Sequence, residues 1–126
     1  VAFRIVTNNP QVQEHFGERH QIHWIEGNYL AVLEFVRDEV HRGYPVLTHP
    51  LSGSIKPNET PYKSILLDTE KDQEISSSVI MIEDSIITAK KFIEIRDRTV
   101  GLRQDLLQDF QEIDYQLIKS GIESAL

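Results

Sequence analysis

The sequence contains no cysteine. That removes disulfides, thiolate metal sites and thiol catalysis together, and it means the chain itself cannot carry electrons as a dithiol. Long apolar runs are also missing; a transmembrane helix needs about 20 consecutive apolar residues, and none is present. Positive charge is scarce, with 13 Lys and Arg against 20 Asp and Glu, a net charge of −7. Lys90–Lys91 is the only adjacent basic pair, so no basic face is expected to neutralise phosphates, and nucleic acid is excluded as a partner. No export signal is recognisable, because Arg4 interrupts the first apolar residues and they run straight into a turn. The expected setting is the cytoplasm, away from any membrane.

What is present reads as a single α/β domain over residues 1–126, with 40% apolar residues to build its core. Phe3–Val6 is a short strand that ends at Thr7-Asn8-Asn9-Pro10. Asn9 is a good helix cap and Pro10 suits the first helical position, so a short helix with Val12 and Phe16 on one face follows. Gly17 is placed to end it in a left-handed conformation. Gln21–Ile25 is the second strand. Asn28 caps an amphipathic helix whose stripe is Tyr29, Val32, Leu33, Val36 and Val40, with Gly43 as its stop. Tyr44–Thr48 reads as a third strand, with Pro45 at its start or on an edge.

This order predicts a small three-layer-like α/β fold with a βαβαβ start, a mainly parallel sheet of three or four strands, and a two-helix C-terminal half. Ser64–Leu67 is a fourth strand of unassigned direction. The first C-terminal helix spans about Val79–Arg96, although Val79–Ile82 alone also fits a strand. Its main stripe is Val79, Ile82, Ile86, Ala89 and Ile93. Ile80, Ile87 and Ile95 fall outside that stripe and are candidates for a homodimer contact, the alternative being that they complete the core. The last helix, about Leu102–Lys119, carries Leu102, Leu106, Phe110, Ile113 and Leu117 on one face.

Ligands of open α/β sheets sit beyond the carboxyl ends of the strands. Three polar turns are expected there: Thr7–Pro10, Glu26–Asn28 and the start of the Pro-rich loop His49–Tyr62. The candidate binding residues are therefore Asn8, Asn9, Glu26, His49, Ser52, Ser54, Lys56, Asn58, Thr60 and Tyr62. Lys56 supplies a full positive charge, the others supply hydrogen bonds, and helix N-termini at Asn9 and Asn28 favour anions. A small carboxylate or phosphate compound is the ligand class these groups suit. Plain capping by the asparagines and a rigid connection by the prolines are the alternatives.

Catalytic motifs are weak. His49 lies near Ser52 and Ser54, but no Gly-x-Ser-x-Gly elbow surrounds either serine. Gly53-Ser54-Ile55-Lys56 lacks the spacing of a phosphate loop, and Thr7–Pro10 has no glycine for a dinucleotide fingerprint. His15, His20 and His23 do not share a strand face, so no metal site and no cofactor is expected.

Taken together, Thr7–Pro10, Ile25-Glu26-Gly27 with Tyr29-Leu30, Gly43-Tyr44, Leu47–Ser54 (LTHPLSGS) and Lys56–Tyr62 (KPNETPY) resemble the GrdX family, over roughly the first half of the chain. The resemblance implies an accessory protein of the glycine, sarcosine and betaine reductase system of amino-acid-fermenting anaerobes. It brings no established catalytic residues. The lack of cysteine independently bars this chain from the thiol or selenol chemistry of such a system. A non-redox accessory role, through a small anionic ligand or a partner protein of the reductase system, is the leading expectation. An enzyme with Lys56 as electrostatic clamp and His49 as acid or base, and an interaction protein working through its helices, remain as alternatives.

Overall fold

The computed structural model describes residues 2–125. The elements are β1 (Phe3–Thr7), α1 (Pro10–Phe16), β2 (Ile22–Trp24), α2 (Tyr29–His41), β3 (Ser64–Asp68), α3 (Ser76–Ile95) and α4 (Gln104–Ala125). The strands lie in the order β2-β1-β3. Because side chains alternate across a strand, Val6, Ile65 and Leu67 face a core shared with α2 and α3, while Ile5 and Leu66 face one shared with α1 and α4. The sheet is thus covered on both sides by helices.

Local sequence rules explain the first half well. The Asn9 side chain accepts from Gln11 N and the Asn28 side chain from Ala31 N, the two expected caps. All five residues of the α2 stripe are buried. Each fully buried Val or Leu there contributes about 1.5–3 kcal/mol of transfer free energy. Gly43, at φ +106°, turns the chain after α2 as a glycine can. Gly17 does not do the same for α1: its φ is −62°, and the helix closes instead with Arg19 N and His20 N donating to Phe16 O.

The sheet departs from the expected parallel arrangement. β1 and β2 are parallel, but β3 runs antiparallel to β1 and occupies the position beside it. Tyr44–Thr48 is not a regular strand; it makes one antiparallel bridge, Val46 to Leu67, on the outer edge of β3. The reason is local. Two backbone bonds flank the bridge, from Leu47 N to Leu66 O and from Asp68 N to Pro45 O, but neither is returned: Pro45 has no N–H to give, and Leu66 N donates to the Thr48 hydroxyl rather than to a backbone carbonyl. Val46 N, on the side away from β3, donates to Ser78 Oγ. Residues 79–82 are helical, within α3. In α4 the buried row is Asp114, Ile118 and Ile122, not the expected stripe. Ile113 and Leu117 are 41% and 37% exposed, and with Phe110 they border a cleft.

On the α2 side, Arg4 of β1 is buried against Glu39, with Nη1 donating to Oε1 at 2.9 Å. The guanidinium also lies over the Tyr44 ring, 4.5 Å from its centroid. Arg4 Nη1 lies 3.1 Å from His23 Nε2. Arginine only donates, so His23 Nε2 accepts and the imidazole is neutral. Burial first, then the Arg4 charge, pushes the His23 pKa below its ordinary 6.5, while Glu39 opposes them. The folded protein therefore holds this proton less well than the unfolded chain. The contribution is intact above the unfolded value and is lost as pH falls through it towards the lower folded one. Denaturation midpoints are expected to drop between pH 7 and pH 5, and to drop less in His23→Gln; equal slopes would contradict this account.

Candidate functional site

The strand pattern that builds the core also places polar groups at one end of the sheet. Thr7 ends β1 and Ser64 begins β3, and the antiparallel register sets them directly opposite each other. Both side chains point to the α4 side, and their hydroxyls lie 2.6 Å apart. Asp114 of α4 sits over this pair. Its Oδ1 accepts from Ser64 N at 3.0 Å, and its Oδ2 accepts from Ser64 Oγ at 2.7 Å and from Asn9 Nδ2 at 2.9 Å. Burial raises the Asp114 pKa; the hydrogen bonds from Asn9 and Ser64, and the Lys63 charge, pull the other way.

Asn8 joins its own turn to the Glu26–Asn28 turn and to the end of the 49–62 loop. Its Nδ2 donates to Gly27 O and to Pro61 O, and its Oδ1 accepts from Lys63 N. This fixes the entry to β3 and turns Lys63 inward, where it is 3% exposed. Lys63 Nζ donates to Ser52 O and Ser52 Oγ, each at 3.0 Å. Burial lowers its pKa from 10.5 to about 8, with Asp114 opposing the shift. An ammonium has three N–H bonds, and among the described residues only these two acceptors engage it.

Tyr29, Ser52, Thr60, Tyr62, Lys63 and Asp114 line a cleft here, and Ile55, Phe110, Ile113 and Leu117 complete its lining. The cleft is narrow, about 20 Å³, room for roughly one water-sized group. Tyr29 donates its hydroxyl to Pro50 O at 3.2 Å, and burial, then Asp114, raises its pKa. Gln111 Nε2 donates to the Tyr62 hydroxyl at 2.8 Å, tying the loop to α4. Gly53, at φ +99°, brings the loop against α4 so closely that a β-carbon there would lie 2.7 Å from Leu117 Cδ1. A shallow, open depression at Pro10, Gln13, Glu14 and Trp24 offers one carboxylate and no buried polar group.

The expected site residues divide into two groups. Ser52, Thr60 and Tyr62 line the cleft, and Asn8 and Asn9 lie behind it as buried supports. The others point elsewhere. Glu26 accepts from Trp24 Nε1 at the surface. His49 is exposed and uses Nδ1 to accept from Leu51 N within its own turn. Ser54 is exposed. Lys56 is exposed, with its ammonium 5.5 Å from the centroid of the Phe92 ring. Asn58 is held by Arg96 O, to which its Nδ2 donates. The cation facing the cleft is thus Lys63, and the carboxylate beside it is Asp114. Lys63 gave little signal, being a lone lysine before a strand. Asp114 was more legible, because it interrupts an otherwise apolar i, i+4, i+8 row with Ile118 and Ile122.

His15, His20 and His23 go to separate places: His15 stacks on Tyr115, His20 packs on Phe3 and Phe16, and His23 faces Arg4. Among the described residues no helix is long and apolar enough to cross a membrane. A family model described as GrdX-like protein matches residues 4–123, nearly the whole chain. No curated protein and no solved structure matches the chain.

Proposed function

From the premise that this chain belongs to the GrdX-like protein family, we propose that it is a non-redox accessory protein of the glycine, sarcosine and betaine reductase system that holds a small anionic ligand at the Lys63 cleft. The observation that carries this reading is the Lys63 ammonium. It is buried beside the cleft, and its two acceptors, a carbonyl and a hydroxyl of Ser52, are both neutral. A buried charge of this kind gains most from an opposite charge at close range.

The lining favours a small ligand. A carboxylate or phosphate oxygen would enter towards Lys63, with Ser52, Thr60 and Tyr62 as neutral hydrogen-bonding neighbours. The rest of the molecule would lie against Ile55, Phe110, Ile113 and Leu117. Asp114 is already committed to Ser64 and Asn9, so its charge is partly neutralised where an anion would approach. The absence of cysteine keeps thiol and disulfide redox chemistry out of this chain. An acid–base role is the second reading, and Lys63 is its carrier: an amine with pKa about 8 exchanges a proton near neutrality, and His49 and Lys56 lie outside the cleft.

A thermal-shift and calorimetric screen against acetate, glycine, its N-methylated derivatives and acetyl phosphate tests the binding reading. One of these is expected to stabilise the fold, by about 2.7 kcal/mol at a hundredfold excess over Kd. Lys63→Met should abolish the effect and Lys56→Ala should leave it intact. Retention in Lys63→Met would move the site away from this cleft.

A further inference from the structure

We propose that two copies of this chain associate through α3, packed antiparallel across a two-fold axis that passes between Ile87 and Thr88. The proposal is independent of the Lys63 cleft.

Ile80, Ile87 and Ile95 are 61%, 54% and 83% exposed on a helix of 20 residues. The opposite face of that helix is occupied: Ile82, Ile86 and Ala89 are buried against α2 and the sheet. At 100° per residue, Ile80, Asp84, Ile87, Lys91 and Ile95 fall on one stripe. A solvated helix face has no need of three isoleucines in register, and burying them has to involve something outside the chain.

The order along the stripe selects a second copy as the occupant. Ile80 and Ile95 lie symmetrically about the midpoint between Ile87 and Thr88, and so do Asp84 and Lys91. Two antiparallel copies related by a two-fold axis at that midpoint therefore set Ile80 against Ile95 of the partner subunit at both ends. They set Asp84 against Lys91 of the partner subunit twice, and Ile87 packs near the axis. This is the self-complementarity that an isologous contact requires. Among the described residues neither Asp84 nor Lys91 has an ion-pair partner within its own chain. In a parallel arrangement the same stripe would put Asp84 on Asp84 and Lys91 on Lys91. With a net charge of −7 on each copy, matched opposite charges are what can offset repulsion between them.

A single helix pair is a small contact, below the roughly 1,200 Å² of a standard interface, so micromolar dissociation is expected. Sedimentation equilibrium between about 10 µM and 0.5 mM should show a monomer–dimer equilibrium. Ile87→Glu should weaken it about thirtyfold or more while circular dichroism and thermal midpoint stay as in the parent, because the side chain is exposed in the monomer. Asp84→Lys and Lys91→Asp should each weaken it about tenfold, since each faces like charges in its own dimer. Mixed one to one, those two variants should form a heterodimer at parental affinity, because both crossed contacts then pair opposite charges. A monomer at about 0.5 mM overturns the proposal. So does a dimer that Ile87→Glu leaves intact, or a pair of charge variants that fails to recover on mixing.

Discussion

Asp114→Ala is expected to destabilise the protein by about 3–5 kcal/mol, the cost of removing one partner from a buried charged network. The carboxylate accepts from Ser64 N, Ser64 Oγ and Asn9 Nδ2. Two of these donors keep another contact after truncation. Asn9 Nδ2 still donates to Gln111 O, and Ser64 Oγ still meets Thr7 Oγ1. Ser64 N has no such alternative, and Lys63 loses the negative charge that supports its ammonium. A thermal midpoint lower by roughly 10–20 °C is the matching readout for a domain of this size. Asp114→Asn keeps the shape and one acceptor but turns an N–H₂ group towards donors, so its loss should be intermediate. A loss below about 1 kcal/mol in Asp114→Ala would mean that the network is peripheral to stability.

The second large effect concerns pH and Lys63. Burial lowers its folded pKa from 10.5 to about 8, a difference worth about 3 kcal/mol between charged and neutral amine. Below pH 8 the amine is protonated in both states, and the folded protein bears the cost of a desolvated ammonium. Between about 8 and 10.5 the folded protein has released the proton and the unfolded chain still holds it, so stability rises with pH. Tyr29 sets the upper limit of the measurement. Its folded pKa is raised above 10, so the unfolded chain ionises first and stability falls beyond that point. The gain should therefore be read from pH 8 to 10, where the unfolding free energy is expected to rise by about 2–3 kcal/mol. Lys63→Met should be flat over the same window. A parallel slope in both proteins would show that the amine titrates at its ordinary value.

These expectations rest on residues that reading the chain did not select, and the physical reason is specific. Asn9 and Asn28 were legible because capping acts within three residues, and the α2 stripe because helical periodicity acts within four. The closeness of the Thr7–Pro10 and Glu26–Asn28 turns was legible too, since both follow strands that lie side by side. The charged members of the site were not. Lys56 and His49 were the natural choices in the loop, but Asn8 takes the Lys63 amide and so decides which lysine turns inward. Tyr44–Thr48 has the composition of a strand, yet the missing N–H of Pro45 and the side-chain bond of Thr48 leave it with a single bridge on the outer edge of β3.

By itself, the sequence determined that no thiol chemistry is available and that caps and stripes form α1 and α2. It also carried the family resemblance, which the match over residues 4–123 extends to nearly the whole chain. Only the tertiary structure decided that β3 lies antiparallel beside β1, that Asp114 reaches Ser64 from 50 residues away, and that Lys63 faces the cleft. Local rules extend over a turn of helix or a pair of strand residues. Register, burial and pKa are set by groups that meet only when distant segments pack, and at this site those groups come from β1, the 49–62 loop, β3 and α4.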